Sequence, residues 1–386
     1  MKLKKLHFDI TGNCKLRCSY CFVSFHAGKS IGQGRPILSA EKIVPLIEQA
    51  ENHGIHRFSI SGGEALTHPS ILRILSAFSP ESHVVLFTSL YGLEGGLLEQ
   101  VANTKCIKGI IVSLDGFAGH NQARAPSHYE DVLKHLEIFR KISPDCSVTI
   151  NTVVTKYNVG ELTALHRLLN FLAVNHWRID MPMRTLNSHV YCTFEEAVSA
   201  ASRVIRARYA DSALQRTRLS IFRIYKSDLE SVNSENLDPL LSVEAHPCEY
   251  SLGQMAVNDL GNISLCSPLK LIMGNIDEEK DFSKITQKFL ENPFFALTLD
   301  SIEYCRECRY FQLCGTGCRA DALEWTGDVT KPDLVACSVM PLVEQHIIPL
   351  LSTHLRGIYQ RMIKAEATNP KYSFSSQLEM CSLKPT

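Results

Sequence analysis

Three cysteines at positions 14, 18 and 21 constrain this chain more than any other feature. They stand in ITGNCKLRCSYCFVSF, Ile10 to Phe25, with the spacing C-x3-C-x2-C, directly after the strand-like apolar run Leu6 to Ile10. A four-iron four-sulfur cluster takes one thiolate on each iron, and protein sites normally supply four. Three thiolates on one short loop hold such a cluster and leave one iron open to another ligand. The positions also fit one face of a helix, and a C-x2-C pair alone fits a zinc or redox site. Thr11-Gly12-Asn13 reads as a loop opening after a strand, which favours the cluster.

The composition narrows the class. A length of 386 residues accommodates one large α/β domain plus a smaller one. Forty basic residues balance forty acidic ones, so neither nucleic acid nor an anionic membrane is expected as a partner. No apolar run reaches the ~18 residues that a membrane span needs, and the opening MKLKKLHFDITGNC lacks a signal-peptide core. Fourteen cysteines without an export signal point to a reducing cytoplasm and to metal ligation instead of disulfides.

Strand-like runs at 5–11, 57–61, 83–88, 108–114, 148–155 and 177–183 alternate with helical patterns at 39–52, 68–78, 93–103, 128–142 and 161–173. Such alternation implies right-handed βαβ units and a parallel sheet. Six strands are too few for a closed eight-stranded barrel, so the expected fold class is α/β, a partial (β/α)6 TIM-like barrel. Chemistry in such barrels sits at the C-terminal strand ends, where polar punctuation recurs. Ser61-Gly62-Gly63-Glu64 follows strand two; Thr88-Ser89 follows strand three. Ser113-Leu114-Asp115-Gly116 and then His120-Asn121-x-x-Arg124 follow strand four. Glycines admit a ligand close to the backbone, and a carboxylate accepts hydrogen bonds from an ammonium. Asp115-Gly116 alone fits a plain turn equally well.

Together with Tyr20 before the third cysteine, these motifs resemble the radical S-adenosylmethionine (SAM) superfamily. The resemblance implies that Cys14, Cys18 and Cys21 hold a cluster whose open iron chelates SAM. Tyr20 would pack near the adenine, and Gly62, Gly63 and Glu64 would hold the methionine amino group. Ser89, Ser113, Arg124, Asn151 and Val153 would contact the rest of SAM. Asp115 and Arg184 would face the substrate. Asn121 departs from the Asp usual in peptide-modifying relatives.

A second cysteine set begins at Cys248, followed by Gly261 and Cys266, then Cys305, Cys308, Cys314, Cys318 and Cys337. The spacing C-x12-G-x4-C, C-x2-C-x5-C-x3-C, then C resembles the SPASM subfamily. Two tetrathiolate zinc sites would also use C-x2-C pairs. The resemblance implies a small cysteine-rich domain binding two auxiliary clusters, hence three four-iron clusters with SAM as cofactor. Cys305, Cys308, Cys314 and Cys337 would hold one, and Cys248, Cys266 and Cys318 the other. The fourth iron of the latter would be open to substrate, water or a buffer anion, or be bound by His246 or Cys192. Cys106, Cys146 and Cys381 read as ordinary thiols.

The expected organisation is a barrel at 1–210, a bridge at 211–246, the cluster domain at 247–345 and a C-terminal helix and tail at 346–386. Arg206, Arg208, Arg216, Arg218 and Arg223 read as solvated surface. The resemblance implies a peptide maturase: a 5′-deoxyadenosyl radical abstracts hydrogen, and an oxidative carbon–carbon or thioether crosslink is installed in a ribosomally made peptide. Expected partners are a precursor peptide with its leader and a reductant such as flavodoxin or ferredoxin. No fused peptide-recognition domain is expected before the first strand, which leaves leader binding to the barrel or a separate protein. A sulfatase maturase competes, but those relatives carry an Asp base directly after the Cys of G-x4-C, where this chain has Ser267. A small-molecule dehydrogenase, an electron carrier and a zinc-stabilised binding module are further alternatives.

Overall fold

The computed structural model describes residues 2–21, 35–93, 96–182, 190–221, 243–248, 252–302 and 304–364. Its described strands are β1 (Lys5–Asp9), β2 (Arg57–Ser61), β3 (His83–Thr88), β4 (Ile107–Ser113), β5 (Ser147–Val153), β6 (His176–Asp180), β7 (Arg218–Ile221), β8 (Gln254–Val257), β9 (Asn262–Ser264) and β10 (Gly274–Asn275). Two compact units share the chain. One comprises Met1–Leu114, His120–Asn151 and Ser251–Phe295; the other comprises Asp115–Gly119, Thr152–Tyr250 and Ala296–Thr386.

In the first unit, β1 to β5 run parallel in sequence order, as the alternating strand and helix patterns require. Strand residues alternate faces. Leu6, Phe8, Phe58, Ile60, Val84, Leu86, Ile110, Val112, Val148 and Ile150 form one face, each 1% exposed or less. Every such large side chain contributes roughly 1.5–3 kcal/mol by leaving water. The helix Ala40–Asn52 buries Ala40, Ile43, Leu46, Ile47 and Ala50, the stripe expected of a helix on a sheet. The opposite sheet face carries His7 and Asp9 in register with Ser59 and Ser61, and Ser113 in register with Asn151.

The chain returns to this unit at β8, which pairs parallel with β1, with Leu6 beside Met255 and Phe8 beside Val257. An antiparallel turn joins β8 to β9, as Asp259-Leu260-Gly261 foreshadows, with Gly261 at a φ of +77°. Residues Ser251–Phe295 thus share the first unit with β1. The β1–β8 ladder ties the hairpin to the first strand.

In the second unit, β6 and β7 pair in parallel. Trp177 is fully buried, donates to Thr152 Oγ1 at 2.8 Å and stacks on His166. Thr193 and Glu196 close a capping box at the start of helix Phe194–Ala210. Part of the expected bridge is ordered structure, because β7 lies within it. Arg208 is no surface residue: it is 2% exposed and donates to the carbonyls of Leu214 and Thr217. Arg206, Arg216 and Arg218 are exposed as expected, and Arg223 lies outside the described residues.

Candidate functional site

The cysteine loop leaves β1 and is held by main-chain bonds from two sides. Gly63 N–H donates to Thr11 O at 2.6 Å, and Glu64 N–H donates to Asn13 O at 2.8 Å. On the other side, Arg17 N–H and Ser19 N–H donate to the carbonyls of Ala125 and Ala123. Only glycine fits this contact. A Cβ on Gly63 would stand 2.4 Å from Asn13 O, and one on Gly62, at a φ of +148°, would stand 2.4 Å from Thr11 O. The two glycines are thus where the second strand's end is pressed onto the cysteine loop.

Glu64 is 4% exposed. One carboxylate oxygen accepts from Leu66 N–H and Thr88 Oγ1, the other from the N–H and hydroxyl of Ser89. Glu64 and Ser89, both expected to contact SAM, thus also tie β2 to β3. Arg124 donates to Cys18 Sγ at 3.8 Å and lies over the Tyr20 ring, 5.3 Å from its centroid. Burial pushes the Cys14 thiol up to about 11; the charges of Glu64 and Cys21 add to this, against the Leu16 N–H and Arg124. A coordinating metal deprotonates a thiol outright, so the half-buried thiols of Cys14, Cys18 and Cys21 suit an iron–sulfur cluster. Ser113 and Asn151 stand side by side on the polar sheet face.

Asp115 belongs to the second unit and is fully buried. It accepts from Val153 N–H at 2.8 Å, while Asn158 donates to its main-chain oxygen. These bonds fix the chain after β5. Arg184 lies outside the described residues.

Cys305, Cys308, Cys314 and Cys337 line one pocket in the second unit. The turn Cys305–Cys308 presents two thiols, Gly315 at a φ of +57° ends the helix Phe311–Cys314, and helix Leu334–His346 supplies Cys337. Asp333 joins these parts, accepting from Cys318 N–H at 2.9 Å and capping that last helix through Val335 and Ala336. Burial raises all four thiols, Cys305 to about 12, and each lies within the electrostatic reach of the others. Four thiols, beside an Asp333 carboxylate already taken up by backbone N–H groups, form a soft donor set suited to an iron–sulfur cluster. Among the described residues, no three His, Cys, Asp or Glu side chains are close enough to share one ion.

Cys266 belongs to the first unit, and Cys248 and Cys318 to the second. Cys248 N–H donates to His246 Nδ1 at 2.9 Å. A neutral His246 then carries its proton on Nε2 and has no lone pair left for a metal. This geometry does not suit His246 as the fourth ligand. Cys192 lines a different pocket, with Phe194, Trp325 and Val335, and burial with the Glu196 charge pushes its thiol up to about 12. Sequence reading missed Asp333 and the hydrogen-bonded group formed by His7 and Asp9. The alternation Leu6-His7-Phe8-Asp9 in β1 was the available signal.

Residues 8–169 match the family model described as the Radical SAM superfamily, so the chain carries a radical SAM domain. An S-adenosylmethionine-dependent nucleotide dehydratase of Flammeovirga pacifica is 23% identical over 197 residues, covering 48% of this chain and 66% of that protein. The chain therefore spans just under two thirds of that relative. Among solved structures, SuiB of Streptococcus suis bound to the precursor peptide SuiA has a TM-score of 0.62 at 15% identity, covering 87% of this chain and 76% of that one. Native anSMEcpe with bound AdoMet and the Cp18Cys peptide has a TM-score of 0.66 at 16% identity, covering 94% and 100%. These likenesses establish the fold. No described helix is long and apolar enough to cross a membrane.

Proposed function

We propose that this radical SAM enzyme matures a ribosomally made peptide, installing an oxidative crosslink between side chains. The observation that carries the reading is the pocket lined by Cys305, Cys308, Cys314 and Cys337, whose thiols would hold a further cluster beyond the one that SAM needs. Two structural neighbours hold peptides in their solved structures, which supports a peptide substrate. Ser267, where a maturase base would stand, favours crosslinking over formylglycine formation.

With SAM and its cluster bound at Cys14, Cys18 and Cys21, the cofactor supplies a radical able to take hydrogen from an unactivated carbon. The chain's task is placement. Gly62 and Gly63 press the cysteine loop into position, and the Glu64–Thr88–Ser89 bonds lock the adjoining strand ends. Arg124 keeps its charge beside Cys18 and Tyr20, where a carboxylate or ribose of SAM would be held. Asp115 and Val153 fix the strand-five end near which substrate would enter. A second reading, a nucleotide substrate, is supported by the Flammeovirga pacifica relative.

The test is anaerobic reconstitution followed by co-expression with short peptides encoded beside the gene. The enzyme should hold about twelve irons, cleave SAM under reductant and lower a peptide's mass by about two hydrogens. Turnover of a nucleotide triphosphate, with every peptide mass unchanged, would replace this reading by the second.

A further inference from the structure

Arg319, the first residue of helix Arg319–Thr326 in the second unit, is 0% exposed. Its guanidinium is held by main-chain oxygens. One terminal nitrogen donates to Val329 O at 2.9 Å and Lys331 O at 2.7 Å, and the other donates to Thr316 O. Nε is buried and meets no acceptor, and no carboxylate among the described residues forms an ion pair with this side chain. Thr316, and Pro332 next to Lys331, line the pocket of Cys305, Cys308, Cys314 and Cys337. The guanidinium is thus anchored to the backbone that forms the pocket wall.

A guanidinium keeps its charge at every working pH. Carbonyl oxygens satisfy its donors without cancelling that charge, and a buried charge is costly unless an opposite one answers it. The other charges around the pocket are already answered or lie in water. Arg309 shares the Glu344 carboxylate with Tyr310, at 2.7 and 2.5 Å, and Lys364 is exposed. Asp333, the buried carboxylate of the wall, accepts from the N–H groups of Cys318, Val335 and Ala336. The negative charge that Arg319 lacks is on offer at the thiols, once these are deprotonated. Its charge already pulls the Cys305 and Cys337 thiols down, against burial.

On the reading above that this pocket holds a four-iron cluster, we propose that Arg319 is the buried counter-charge of that cluster and raises its reduction potential. With four thiolates such a cluster carries about two net negative charges when oxidised and about three when reduced. A fixed cation behind the wall therefore favours the reduced form. Arg319 is a positioning residue acting through the cluster, not a ligand. A mere brace for the 316–331 loop would need its donors; a counter-charge needs its charge.

The experiment is a redox titration of the reconstituted enzyme followed by electron paramagnetic resonance. The signal of this cluster is the one that Cys314→Ala removes. Arg319→Gln keeps an amide donor and loses the charge. At a fixed potential, the ratio of reduced to oxidised cluster should fall about tenfold, a drop of about 59 mV for a one-electron couple, while the other clusters stay unmoved. The drop should be the same at about pH 6 and about pH 9, because the guanidinium does not titrate. Arg319→Lys gives up the planar fork but keeps the charge, so it should retain most of the wild-type potential; it decides the matter if the Gln variant does not fold. An unmoved potential in Arg319→Gln, an equal shift of all clusters, or a full tenfold fall in Arg319→Lys would each overturn the proposal and leave the cluster reading standing. Zinc in the pocket, or no cluster signal that depends on Cys314, would overturn that reading and this inference with it.

Discussion

Glu64 and Ser89, separated by 25 positions in the chain, are joined twice: the N–H and the hydroxyl of Ser89 both donate to one oxygen of the Glu64 carboxylate. The other oxygen takes Thr88 and Leu66. An amide at position 64 would bring donors of its own into a shell that already consists of donors. Glu64→Gln should therefore lose about 1.5–3 kcal/mol in urea unfolding, besides any effect on SAM. Unchanged stability with SAM cleavage abolished would assign the carboxylate to the cofactor alone.

Gly63 offers a more local test. Its missing Cβ is what allows Asn13 O and Gly12 O to approach, at 2.4 and 2.7 Å from where that carbon would be. Both obstacles are backbone, so Gly63→Ala must displace the cysteine loop. The variant should lose about four irons per chain and nearly all SAM cleavage while the auxiliary-cluster signals persist. Full iron content with normal cleavage would show that the contact tolerates a methyl group.

The pH dependence of stability should carry the mark of Asp259. Burial, and then the charge of Asp9, push its carboxyl from an ordinary 3.8 up to about 6, against the pull of Arg35. A proton held more tightly in the folded state gives stability that is complete below 3.8 and is lost as pH rises through about 6. Asp9 works in the opposite sense. Burial alone would raise it, but His7, Ser267 and Ser61 together hold it below the usual range, so its contribution is present above 3.8 and lost on acidification. Asp259→Asn should thus raise the urea midpoint near pH 7 and leave it unchanged near pH 4. Equal midpoints at both values would contradict this assignment.

Iron counting separates ligands from bystanders. Cys314→Ala should lower the content from about twelve to about eight irons, because its thiol shares a pocket with Cys305, Cys308 and Cys337. Cys106→Ala should leave the count intact, since that buried thiol donates to the carbonyl of Leu75. Loss of iron in the Cys106 variant, or retention in the Cys314 variant, would overturn the ligand assignment.

What could be read in advance depended on how local the signal was. The cysteine spacings, the glycine pair and the strand–helix alternation lie in short windows, and the six parallel strands fall within three residues of their expected bounds. The pairing of β8 with β1 joins residues some 250 positions apart, and a four-residue strand with three apolar residues does not announce which edge it will find. Strand β7 was hidden in the same way, its Leu219 and Ile221 flanked by arginines. His7 and Asp9 stood in plain view, but their hydrogen bonding to Ser267 appears only once the chain after the β8–β9 hairpin is brought alongside. Asp115 looked like a substrate-facing carboxylate at a strand end; its bond to Val153 became visible only once β4 and β5 were paired.

The most direct measurement is SAM cleavage by wild type and by Cys18→Ala, both reconstituted with iron and sulfide without oxygen and supplied with reductant. Wild type should release 5′-deoxyadenosine and methionine in equal amounts, and the variant should release none while keeping its auxiliary clusters. Zinc in place of iron at Cys14, Cys18 and Cys21, or cleavage that persists in the variant, would contradict the account at its root.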